Sequence, residues 1–198
     1  MVALAMSGPS TGVSRATLLR YGACTAGLAA IGAPALVAAS ASPEQDARAL
    51  NLLLLVEYTE SAFYAEALDG RAISDEQRAF ARRVYEHESE HLMLLKTALG
   101  GKAADEPRHD FGDATKDPDA FSEAAARLED LAVAAYNGQA GNVSPEVFAA
   151  AARIVSVEAR HAAWIRSIAG RDPAPRTTDR PFSDKQVRAG LRRLGVQL

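Results

Sequence analysis

The sequence has a single cysteine, Cys24, so the chain beyond its first forty residues carries no thiol. Disulfides, a cysteine nucleophile, thiolate zinc sites and cysteine-attached haem are thereby excluded from that part, and any metal there must be held by Glu, Asp or His. An excess of positive charge is also lacking. The 198 residues include 22 Lys+Arg against 25 Asp+Glu, and residues 1–41 hold two arginines and no acid, which leaves 20 basic and 25 acidic side chains beyond them. That net −5 argues against nucleic acid as a partner. Strand signals are missing as well. No segment alternates with period two, and Asp69-Gly70 and Asn137-Gly138 follow helical patterns rather than lying between apolar strands. What is present is a hydrophobic share of 48%, enough for the residues after 41 to fold as one domain with a real core.

The first 41 residues read as an address. Arg15 and Arg20 precede an uncharged run from Tyr21 to Pro43, rich in Ala and Gly, with small residues at Ala39-Ser40-Ala41. This is the order of a signal peptide, so the protein is expected to be exported, periplasmic or extracellular. The stretch from Ser14 to Arg20 resembles a twin-arginine signal in which Ala16 stands for the second arginine. The rival reading is an uncleaved membrane anchor, since the run is long enough to span a bilayer. Its Ala, Gly and Pro34 make it only weakly apolar.

Downstream, helix starts and stops alternate. Ser42-Pro43-Glu44-Gln45 and Ser74-Asp75-Glu76-Gln77 are capping boxes, and Asp117-Pro118 and Ser144-Pro145 place an N-cap before proline. Gly70, Gly100, Gly138 and Gly170 supply C-terminal turns. The resulting expectation is all-α: helices over 43–69, 75–99, 118–137 and 145–169, then a tail over 171–198 with a short helix capped by Ser183 to Gln186. Short loops make the first pair and the last pair antiparallel neighbours, whereas Gly100 to Asp117 is a polar 18-residue link able to run the length of the bundle. One long crossover in a four-helix bundle is the ferritin-like connectivity.

Each apolar stripe of this bundle is interrupted by charge. Leu50, Leu53 and Leu54 lead to Glu57 and then Tyr64; Phe80 and Val84 lead to Glu88, His91 and Leu95. Ala125 leads to Glu129, Ala132 and Tyr136; Ile154 leads to Glu158, His161 and Ile165. Four carboxylates in one core are untenable unless cations compensate them, and two divalent metals would balance four glutamates. Glu88-Ser89-Glu90-His91 and Glu158-Ala159-Arg160-His161 are both Glu-x-x-His, whose i, i+3 pair shares one helix face. One Glu from each of two helices plus two such motifs is the inward-facing ligand set of di-iron carboxylate bundles. The halves repeat: Glu57 to Glu88 is 31 residues, Glu129 to Glu158 is 29, and Tyr64 and Tyr136 each follow a lone Glu by seven.

On these residues the chain resembles the ferritin-like superfamily across about 45–170, in its ligand motif bacterioferritin and rubrerythrin, and among its members the exported ferritin-like proteins with an N-terminal signal; His161-Ala162-Ala163-Trp164 adds to the likeness. The resemblance implies that Glu57 and His91 bind one metal and Glu129 and His161 the other, with Glu88 and Glu158 bridging. It lacks a haem-binding Met in the second helix and a rubredoxin-like cysteine module, and its tail contains proline, so neither haem nor storage in a shell is expected. Glu60, His87, Tyr64 and Tyr136 are expected beside the ligands, the tyrosines and Trp164 chiefly as packing. His87-Glu88-Ser89-Glu90-His91 also fits the H-E-x-x-H pattern of zinc peptidases, but charged Glu90 and the lack of a sheet to bind a substrate strand speak against that chemistry. His109 and the cluster Lys185, Arg188, Arg192 and Arg193 read as solvated.

The expected cofactor is therefore a pair of metal ions, iron before manganese or zinc. Iron(II), with O2 or peroxide, would be the small-molecule partners of a ferroxidase or peroxide-consuming centre. A non-enzymatic metal-binding or stress-protection protein is the alternative. An oligomer is compatible with the sequence, and a membrane partner enters only through an uncleaved leader.

Overall fold

The computed structural model describes residues 41–198; the expected leader lies outside them but for its last residue. Four long helices follow: α1 (Pro43–Asp69), α2 (Asp75–Leu99), α3 (Pro118–Gln139) and α4 (Pro145–Ile168), and the shorter α5 spans Asp184–Arg193. Local chemistry sets their starts. Ser42 accepts from the Gln45 N–H at 3.2 Å, Asp117 from the Ala120 N–H at 2.8 Å, and Ser74 and Gln77 cap each other reciprocally. Gly100 and Gly170 end α2 and α4 at φ 54° and 67°. Gly70 ends α1 at φ −73°, in extended backbone.

Gly138 departs from expectation, because α3 runs through it to Gln139. The Phe182 N–H donates to the Ala134 carbonyl at 2.9 Å, which lays the tail's backbone against α3. A Cβ at position 138 would collide with the Phe182 carbonyl oxygen. Glycine is therefore required there for close approach, not for a turn.

The bundle is all-α and antiparallel. Tyr64 bonds Glu129 while Tyr136 bonds Glu57, so α1 and α3 run in opposite directions. The crossover lies along α1. Asn51 donates to the Lys102 carbonyl at 2.9 Å and accepts from the Ala104 N–H at 2.7 Å, Phe111 meets Phe63 edge-on at 5.3 Å, and Thr115 donates to Glu66 at 2.6 Å. From Asn51 to Glu66 is about 22 Å of helix, so the link does traverse the bundle.

Two features were not expected. Arg108–His109 (β1) pairs antiparallel with Val196–Gln197 (β2), joining crossover to tail. His109 is accordingly half-buried and stacked on Phe111 at 5.3 Å, not solvated, and burial pulls its imidazole below its ordinary range. The tail packs too: Val187, Leu191 and Val196 are buried with Leu131 and Ile154 in one apolar cluster. A second cluster, around Phe63, Phe80, Phe121 and Ile165, fills the other half of the bundle. Among the described residues no helix is long and apolar enough to cross a membrane.

Candidate metal centre

Between the two apolar clusters each helix presents its charged turn inward. Glu57, Glu60, Glu88, Glu129 and Glu158 are all 0% exposed, with His91 and His161 at 6% and 2%. The histidines organise them. Nδ1 of His91 lies 2.9 Å from Glu88 Oε2, 2.9 Å from Glu158 Oε1 and 3.3 Å from Glu57 Oε2. Nδ1 of His161 lies 3.1 Å from Glu88 Oε1, 3.4 Å from Glu158 Oε2 and 3.4 Å from Glu129 Oε2. Glu88 and Glu158 thus turn one oxygen toward each histidine, and Glu57 and Glu129 each belong to one side. The donor atoms form two overlapping groups, Glu57-Glu88-His91-Glu158 and Glu88-Glu129-Glu158-His161, each within 4.8 Å.

Hydrogen bonding does not account for this convergence. Glu57 Oε2, Glu88 Oε1, Glu129 Oε2, both Glu158 oxygens and His161 Nδ1 are buried with no hydrogen-bond partner, although they sit close together. Buried polar atoms are ordinarily satisfied, and an oxygen-rich set with two imidazoles fits cations such as Fe, Mn or Zn. The remaining oxygens of the lone glutamates are held from outside: Tyr136 Oη donates to Glu57 Oε1 and Tyr64 Oη to Glu129 Oε1. These tyrosines are buried as expected, but each also orients the carboxylate of the other half. Burial and the facing carboxylates push both phenols well above their ordinary range.

The electrostatics follow from the crowding. Burial and neighbouring Glu158 and Glu57 raise Glu88 well above the usual carboxylate range, and burial raises Glu129 despite His161 beside it. Burial would raise Glu158, but the His161 and His91 imidazoles close beside it outweigh that and leave it lowered. Burial alone would lower both imidazoles. The carboxylates around them prevail and push His91 and His161 up to about 12.

Glu60 is the residue the sequence undervalued. Both its oxygens are buried without a partner, and burial, with Glu88, Glu158, Glu129 and Glu57 nearby, raises it well above the ordinary range. Its i, i+3 spacing from Glu57 was the available signal. His87 stands behind His161, its Nδ1 2.8 Å from Nε2 and the rings nearly parallel, 5.1 Å apart. Neither convergent group of donors among the described residues includes His87, so the H-E-x-x-H histidines do not form a shared site. Trp164, expected as packing, meets Phe80 edge-on at 5.1 Å yet remains 41% exposed.

Compared with known proteins, residues 45–171 match a family model described as "Ferritin-like domain". No curated protein matches the chain.

Proposed function

Because the chain belongs to the ferritin-like domain family, we propose that its buried Glu/His cluster is a dinuclear metal centre, with iron as the metal, serving oxidation by O2 or peroxide. The observation that carries the reading is the set of unpartnered inward oxygens arranged in two overlapping groups. Glu57 and His91 would hold one ion, Glu129 and His161 the other, with Glu88 and Glu158 shared. The chemistry such a pair supplies when bound is a two-electron change, which with two protons reduces peroxide to two waters.

The chain's own residues do the rest. Tyr136 and Tyr64 fix the outer oxygens of Glu57 and Glu129, leaving one oxygen of each directed inward. His87 occupies Nε2 of His161, so that Nδ1 faces the carboxylates. The flanking apolar clusters keep bulk water from the donors. His161→Ala should remove one of two metals and most iron(II)-dependent O2 or peroxide consumption, whereas His87→Ala should keep both metals. Loss of metal in the His87 variant with retention in the His161 variant would instead favour the H-E-x-x-H zinc site. A non-enzymatic metal-binding role predicts full metal content with no consumption in the parent protein.

The same reading takes the protein to be exported, on the strength of Arg15, Arg20 and the uncharged run that follows. Cell fractionation should find chain lacking the leader outside the cytoplasm; soluble full-length protein confined to the cytoplasm would contradict this.

A further inference from the structure

A cavity of about 430 Å³ opens between α3, the end of α4, the tail segment and α5, away from the Glu/His donors. Its walls are fixed. Arg166 at its base, only 16% exposed, donates to Asp130 and also to the Pro173 carbonyl at 3.2 Å, and the Phe182 N–H ties the opposite wall to Ala134. Leu131, Ala134 and Phe182 give it an apolar floor.

Its charge is opposite to that of the chain as a whole. Five arginines line it (Arg127, Arg166, Arg176, Arg180 and Arg193) against Asp130 and Asp179, a local balance of +3 in a chain of net −3. Two of the five are committed, Arg166 to Asp130 and Arg127 to Glu123. Among the described residues Arg176, Arg180 and Arg193 make no ion pair, although two separate stretches of chain, the tail segment and the end of α5, bring them to one volume. Like charges gathered around a partly enclosed, low-dielectric space favour an anion within it.

We propose that this cavity binds a small organic anion, a carboxylate or phosphate group carried on a compact apolar body. The volume lies in the range of small-molecule sites, which combine apolar walls with a few convergent polar groups. The guanidinium fork matches either head group with paired hydrogen bonds. A bare cation is excluded by the sign of the charge and a nucleic-acid strand by the volume. The apolar floor distinguishes an organic anion from an inorganic one. The site is independent of the metal centre.

The test is calorimetric titration of the protein as isolated with phenyl phosphate, benzoate and inorganic phosphate. Phenyl phosphate or benzoate should saturate at one per chain and bind more tightly than inorganic phosphate, and the tighter of the two identifies the head group. The Arg180→Ala/Arg193→Ala double variant should weaken that binding at least tenfold, since each guanidinium supplies charge-assisted hydrogen bonds that alanine cannot replace. Both side chains lie at the surface, and unchanged melting would verify that the double variant folds. Arg83→Ala, which removes an exposed charge paired with Glu86 elsewhere, should bind as the parent does. Absence of saturable binding by either organic probe at millimolar concentration would overturn the proposal. So would binding undiminished in the double variant, the result expected of an anion held at the metal centre.

Discussion

At the scale of single residues, Glu60 separates this core from a simple six-donor set. Its carboxylate is fully buried, has no hydrogen-bond partner and faces four other carboxylates, so without a cation its charged form is costly. That cost has a pH signature. Glu60, Glu88 and Glu129 are raised above 4.5, so the folded metal-free chain keeps protons that the unfolded chain releases, and stability falls as pH rises beyond 4.5. The stability from His91 and His161, complete below 6.5, is lost as pH climbs toward about 12, the same sign. Glu158, being lowered, loses its contribution only on acidification below 4.5, outside that window. Melting of metal-free protein should therefore drop steadily from about pH 5 to 9, and Glu60→Gln should flatten part of the slope. A flat or rising profile in the parent would mean these groups are not buried and crowded as described. Bound metal should reverse the trend, because it displaces protons from its ligands and binds more tightly as pH rises.

At the scale of elements, caps and stripes were sufficient to place all five helices, since Ser, Asp, Pro and Gly act locally and leave marks in sequence. Contacts between distant segments leave fewer. Gly138 looked like a helix stop because a C-terminal glycine and a close-approach glycine are the same letter, and only the fold brings Phe182 onto α3. Two-residue strands such as Arg108–His109 are too short for alternation to reveal. Lys185, Arg192 and Arg193 form the solvated face of α5 that the sequence indicated, whereas its core face is written in only Val187 and Leu191 amid those charges, too few to show before it is docked. Gly138→Ala tests the close approach. Alanine is the better helix former by about 1 kcal/mol, so propensity alone predicts stabilisation. Overpacking against backbone costs about 1–3 kcal/mol, and the collision with a carbonyl that cannot rotate away should dominate. Thermal melting should fall by a few degrees; a rise would show that the tail does not pack on α3 in solution.

At the scale of the whole molecule, the fold is two apolar clusters holding an acidic layer between them, with four antiparallel helices each contributing one turn to that layer. The four lone or motif glutamates and both histidines were legible because charge on an apolar stripe is rare and here recurs in every helix. Which of Glu57 and Glu60 faces which neighbour was not, since both lie on one face of α1 and only the packed bundle sets their partners. Folding and metal binding are linked through this layer: the unfolded chain has no assembled site, so ligand affinity becomes stability. If the layer is a dinuclear centre, it holds two ions. Equilibrium dialysis of the metal-free protein against iron(II) under anaerobic conditions, followed by elemental analysis and thermal melting, tests it most directly. Two ions per chain and a marked rise in melting temperature are expected; a stoichiometry near zero with unchanged melting would show that the layer is not a metal centre.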